Sequence, residues 1–296
     1  LKWLAPIPAL LALAAAQAIM ASPASMADIL AASPPSDWRA LDPENTIYMQ
    51  LPGGRVIIEL NPKFAPHHVA NIKTLIRQGY FDGLAIVRVQ DDYVVQWADP
   101  DGKRPLGAAF ASLKAEFDRP LNASESFTAL PDLDTYAPST GFADGFPAAR
   151  DPGIGRTWLT HCYGMVGVGR DNDADSGGGT ELYAVIGHAP RQLDRNVTLV
   201  GRVVRGIELI SSLPRGTAAL GFYGTAAERT QILSVRLATD VPTKDRVNLV
   251  ALRTDSATFA KLLENRRFRK DDWYKIPAGH IDVCNVPLPV EDAGVK

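Results

Sequence analysis

Two polar side chains, Arg88 and Gln96, stand out against the apolar segments around them. Arg88 interrupts the apolar run Leu84-Ala85-Ile86-Val87-Arg88-Val89, and Gln96 follows in the next extended segment, Tyr93-Val94-Val95-Gln96-Trp97. Taking an unpaired charge out of water is expensive. A guanidinium in such a run therefore has one of two explanations. It is a permanent cation with several fixed donors and a task for them, or it sits on an edge strand from which its head reaches solvent. This stretch alone leaves both open.

Other constellations are weaker. Asp171-Asn172-Asp173-Ala174-Asp175 has the acidic spacing of a calcium loop, but Ser176 holds the place of the sixth-position glycine. Leu182 holds the twelfth position and Glu181 comes one residue early. It reads as a polar surface loop. Gly177-Gly178-Gly179-Thr180 has no lysine at phosphate-loop spacing and suits a tight turn before a strand. His67, His68, His161, His188 and His280 show no ligand spacing, so no metal site is expected. A GxSxG elbow is absent. Cys162 and Cys284, the two cysteines, form no CxxC pair. In an exported chain they could join the core to the C-terminal region, and two separate buried thiols are the alternative.

The chain's 296 residues are 46 % hydrophobic, enough for one large domain with additions or for two domains. A formal net charge of −2 offers no basic excess for a polyanion, so nucleic acid is not an expected partner. The run Arg266-Arg267-Phe268-Arg269-Lys270 is followed at once by Asp271 and Asp272 and reads as a solvated face. Lys2, an apolar run over residues 4–18 and small residues at Ala16-Gln17-Ala18 predict a cleaved export signal within 1–21, and hence a periplasmic location. The run is short for a membrane span, and no stable span is expected after its removal. Residues 22–45, rich in Ala, Ser and Pro, read as a flexible linker with one short helical turn.

The elements that must position Arg88 and Gln96 follow from periodicity. Ile47, Met49 and Leu51, then Pro52-Gly53-Gly54, then Val56, Ile58 and Leu60 predict a β-hairpin. Val69, Ile72, Ile76 and Tyr80 fall three to four apart, with Pro66 at the start and Gly79 at the stop, which predicts a helix over 65–79. Strands are expected at 84–90, 93–97, 164–169, 182–186, 197–203 and 231–237, and a short helix at 206–212. Residues 105–157 form the least regular stretch, a long functional or disordered loop. Beyond Pro242 a strand at 246–252, a helix at 256–265 and a strand at 280–284 suggest an appendage. The pattern is mostly antiparallel β with few helices, a barrel or a sandwich.

With these in place the chain resembles a cyclophilin-type peptidyl-prolyl cis–trans isomerase over roughly 46–240. The likeness rests on an ordered series: Gly54-Arg55-Val56-Ile57-Ile58-Glu59-Leu60, Ala65-Pro66, Asn71 and Gly79-Tyr80-Phe81-Asp82-Gly83. It continues with Gly164-Met165-Val166-Gly167-Val168-Gly169-Arg170, Thr180-Glu181-Leu182-Tyr183, Gln192-Leu193-Asp194 and 199–206. The resemblance implies a mainly β fold, a closed antiparallel eight-stranded barrel capped by two helices. That domain would span 46–242 with an insertion at about 119–155, followed by a small α/β extension over 243–296. It implies a peptidyl-prolyl isomerase of folding polypeptides that needs no cofactor, with Arg88 donating to the imide nitrogen and Gln96 assisting. It also implies a proline pocket lined by Ile86, Tyr93, Val94, Tyr183, Leu193 and Val197, with Gly169, Arg170 and Glu181 along the substrate.

The chain departs from the family pattern in places. The common Phe-His-Arg reads Ile86-Val87-Arg88, Gln-Gly-Gly-Asp reads Gln96-Trp97-Ala98-Asp99, and the pocket phenylalanines are Tyr93 and Tyr183. Gln192 and Val197 replace a tryptophan and a histidine, which implies weak cyclosporin binding. Glu181 replaces a glutamine and could orient Arg88 or sequester it. A second expectation is a barrel that binds proline-containing segments, as a chaperone or assembly partner, without catalysis.

Overall fold

The computed structural model describes residues 24–294; the predicted export signal lies outside them. In chain order the α-helices are α1 (Met26–Ala31), α2 (Pro66–Arg77), α3 (Glu208–Ser211) and α4 (Ala257–Arg267). The strands are β1 (Trp38–Ala40), β2 (Thr46–Leu51), β3 (Gly54–Leu60), β4 (Ala85–Val89), β5 (Val94–Ala98), β6 (Arg119–Pro120), β7 (Thr128–Ala129) and β8 (Ser139–Ala143). They continue with β9 (Phe146–Asp151), β10 (Arg156–Leu159), β11 (Met165–Val168), β12 (Leu182–Val185), β13 (Leu199–Arg205), β14 (Ser234–Leu237), β15 (Leu249–Leu252) and β16 (Val290–Asp292).

The predicted hairpin forms as β2–β3, Leu51 facing Gly54 across the turn. One face of it, Ile47, Met49, Leu51, Val56, Ile58 and Leu60, enters the main core, where Val69, Ile72, Leu75 and Ile76 of α2 meet it. Burying these side chains is the main stabilising term, at roughly 1.5–3 kcal/mol each. Pro66 sits at the first turn of α2, and Gly79 closes it at φ +70, a conformation that costs glycine nothing.

The main sheet has eight strands in the order β14-β2-β3-β13-β11-β12-β5-β4, every pair antiparallel. It is an open, curled half-barrel, not the closed barrel expected. Its edge strands β14 and β4 do not pair as strands. They approach through a single bridge, Ala85 to Gln231, with hydrogen bonds from Gly83 and Ile86 N–H to the carbonyls of Ile232 and Thr230. Of the four α-helices among the described residues, α2 and α3 are the two expected on the barrel domain, α4 falls where the extension's helix is expected, and α1 is the short turn of the first segment.

Three further expectations need correction. The flexible linker is ordered from residue 24 onward. A capping box at Ser25 starts α1, which lies on α4, and β1 pairs with β15. The predicted irregular stretch carries a five-stranded sheet, β6-β10-β9-β8-β7. Its strands are short, and at Gly141 neighbouring backbones run so close that a Cβ would overlap the Thr128 carbonyl. The strand expected at 280–284 is instead a 3-10 turn at Val283–Asn285, and β16 is the extension's second strand.

The insertion, α1, α4 and the C-terminal segment share a second core built around Phe142, Phe146, Leu252, Phe259, Leu262 and Val283. Cys162 and Cys284 are bonded within it. No helix among the described residues is long and apolar enough to cross a membrane.

Candidate active site

Arg88 lies on β4, the edge strand, and Gln96 on β5 beside it in register. Strict alternation would put Ile86 and Arg88 on one face of β4. A β-bulge between them breaks the alternation. Ile86 and Val89 consequently both point into the main core, and Arg88 is released to the opposite side. Ile86, expected in the pocket, is fully buried away from it.

The remaining expected residues converge. Arg88, Tyr93, Val94, Gln96, Gly169, Arg170, Glu181, Tyr183, Leu193 and Val197 all line one groove of about 710 Å³. Val94, Tyr183 and Val197 form its apolar floor, backed by Val185, with Tyr93 packed beside them. Sequence reading missed Val168 and the polar rim of Asp171, Asn172 and Asp173, the loop set aside as a surface turn. It also missed the segment 220–222. Leu220 adopts φ +58 and Gly221 φ +77, an arrangement that brings the Leu220 carbonyl to Arg88. A Cβ on Gly221 would overlap the Gln90 backbone, so a glycine is needed there. The only sequence signal for this loop was the glycine itself.

The guanidinium is held on three sides. Nε donates to the Leu220 carbonyl at 2.7 Å, Nη1 donates to Gln96 Oε1 at 3.0 Å, and Nη2 donates to Gln90 Oε1. The rings of Phe222 and Tyr93 flank it, their centroids 5.2 and 5.6 Å from Cζ. Three of its five N–H groups are thereby used and two remain. Among the described residues no carboxylate lies within ion-pair distance of it. Glu181 accepts from Gln96 Nε2 instead, so the amide stands between the carboxylate and the cation.

Burial lowers the Arg88 pKa, with Tyr93 and Glu181 opposing; a guanidinium stays protonated all the same. Burial raises the Glu181 carboxyl above its ordinary value, Asp171 adds to that, and Arg88 opposes it. Burial also pushes the Tyr183 hydroxyl up, keeping it neutral. The groove thus offers a fixed cation with free donors above an apolar floor. Such a site can hold a small apolar ring and direct hydrogen bonds at an atom beside it.

Comparisons with known proteins point the same way. The model of the cyclophilin type peptidyl-prolyl cis-trans isomerase/CLD family matches residues 46–236. A probable peptidyl-prolyl cis-trans isomerase of Brucella suis is 29 % identical over 182 residues, 61 % of this chain and 76 % of that protein. Human peptidyl-prolyl cis-trans isomerase-like 1 is 27 % identical over 183 residues, 62 % of this chain and 84 % of that one. Among solved structures, the cyclophilin AquaCyp293 from Hirschia baltica is 28 % identical with a TM-score of 0.71. That match covers 90 % of this chain and 97 % of the other, so the shared architecture extends past the residues of the family model. The half-barrel, its groove and the family match agree, and the chain belongs to the cyclophilin-type peptidyl-prolyl cis–trans isomerases.

Proposed function

We propose that the groove accelerates Xaa-Pro isomerisation in folding polypeptides, with Arg88 as donor to the imide nitrogen. Amide resonance sets the barrier at roughly 18–20 kcal/mol. A hydrogen bond aimed at the nitrogen localises its lone pair, weakens the C–N double bond and stabilises the twisted state more than either planar one. Gln96 holds the guanidinium plane, and the floor of Val94, Tyr183 and Val197 receives the proline ring. The observation that carries this reading is the state of Arg88: fixed by three hydrogen bonds, unpaired with any carboxylate among the described residues, and left with two donors.

A second reading, a non-catalytic binder of proline-containing segments, draws on one feature. Glu181 ties up the Gln96 amide that could otherwise reach a substrate. Exchange NMR on an Xaa-Pro peptide separates the two. Catalysis predicts cross-peaks between cis and trans resonances at substoichiometric protein. Peptide shifts with no exchange enhancement would establish the binder.

We place the protein in an oxidising compartment outside the cytosol, a reading supported by the N-terminal apolar run and by the Cys162–Cys284 bond. Fractionation of expressing cells that found the chain in the cytosol with both thiols free would contradict it.

A further inference from the structure

One chain of buried polar side chains runs from the inserted sheet to the groove. Tyr183 Oη lies 2.9 Å from His161 Nε2, and His161 Nδ1 lies 2.9 Å from Asp194 Oδ1. The His161 N–H also donates to Asp194 Oδ1, at 2.8 Å. Asp194 Oδ2 accepts from Arg191 Nε at 2.6 Å, and the two Nη groups of Arg191 donate to both oxygens of Asp134 at 2.9 and 3.0 Å. Every member is buried: the side-chain exposures are 0 % for His161, 6 % for Asp194 and 4 % for Arg191 and Asp134. Asp134 belongs to the insertion, in the connection between β7 and β8.

A carboxylate only accepts, so the imidazole carries a proton on Nδ1 toward Asp194. In that tautomer Nε2 is left to accept from the Tyr183 hydroxyl. On its other side the Tyr183 ring lies against the backbone at Gly167, where a Cβ would overlap the phenol end. Ring position is therefore set from two directions, by a strand that lacks a side chain and by a histidine whose own place depends on Asp194 and Arg191.

We infer that Asp134 is a positioning residue of the isomerase groove, acting through Arg191, Asp194 and His161 on the Tyr183 hydroxyl. The inserted sheet thereby sets the shape of the proline-ring pocket in the domain that carries it. This rests on the groove being the substrate site. Buried charge pairs of this kind are sensitive to the loss of one partner, because the other is left uncompensated. The disturbance passes along the chain to its end at Tyr183.

A double-mutant cycle on Xaa-Pro peptide turnover tests it. Asp134→Asn raises KM about five-fold with little change in kcat, since the pocket wall contributes to binding the ring in both planar and twisted states. In a Tyr183→Phe background, where the last link is already missing, the same substitution leaves KM unchanged. A purely structural Asp134 would lower Tm in both backgrounds and shift KM by the same factor in each; that result overturns the inference. Arg191→Lys, which keeps the charge and loses the two-pronged bond, repeats the cycle should Asp134→Asn fold poorly. With tyrosine-ring 13C labels, the Tyr183 resonances shift in Asp134→Asn, and unshifted resonances also overturn the inference. That readout needs no turnover, so a wild-type protein without isomerase activity would refute the groove assignment while the ring shift still judged the positioning chain.

Discussion

Arg88, Gln96 and Glu181 form a series in which each side chain settles the next. Arg88 and Gln96 were legible because a cation and an amide in apolar strands stand out against their neighbours. The role of Glu181 was not, since orienting and sequestering the cation look alike in sequence. The structure puts Gln96 between them. The carboxyl's pKa is raised by burial, so the folded state binds its proton more tightly than the unfolded state does. Stability is therefore lost as pH rises from the unfolded value toward the folded one, and the loss is complete above both. Glu181→Gln, which keeps an acceptor for Gln96, should have a higher Tm than the wild type at pH 7, and the difference should close below about pH 4. Thermal unfolding across that range checks it. Ile86 was misplaced for a reason of the same scale: a β-bulge inserts one residue into the alternation, and nothing in the side-chain types announces it.

Among the elements, α2 shows where sequence reading stops. Its spacing of Val69, Ile72 and Ile76, its Pro66 and its Gly79 were all readable, and its bounds came within two residues of expectation. Its cap was not. Ala65 has no side chain to cap with, and Glu116 does so from 48 residues away, accepting from the amides of His67 and His68 at 3.1 and 3.0 Å and from the His68 ring. Burial alone would raise the Glu116 pKa, but these hydrogen bonds outweigh it and hold the value down. The stabilisation is present above the ordinary glutamate pKa and lost as pH falls through the folded one. Glu116→Gln should cost about 1–2 kcal/mol at pH 7, the usual worth of a helix cap, and the deficit should vanish in acid. Urea unfolding at both pH values measures it. The inserted sheet was unreadable for a related reason. Its strands are two to six residues long and interrupted by Gly and Pro, so no window holds a clear period.

At the scale of the whole molecule, the flanking segments and the insertion are one packed unit beside the half-barrel. The N-terminal α1 rests on α4, β1 completes a sheet with β15 and β16, and Cys162–Cys284 joins positions 122 residues apart. Composition suggested a linker for the first segment because alanine, serine and proline carry little periodicity. The order comes from partners more than two hundred residues downstream, such as Trp38 opposite Leu252. Closing so long a loop restrains the unfolded chain, so Cys284→Ser should lower stability by roughly 2–5 kcal/mol. Wild-type protein unfolded in reducing buffer should show a similar loss, and equal urea midpoints with and without reductant would refute this.

The groove's central assignment is tested most directly by the cis-to-trans relaxation rate of an Xaa-Pro peptide with wild-type protein and with Arg88→Ala. The wild type should accelerate relaxation, and the variant should stay folded, with a Tm lowered by the lost hydrogen bonds, while its kcat/KM falls by about 10²–10³-fold, the worth of one donor aimed at developing charge. Equal rates for the two proteins would contradict the account.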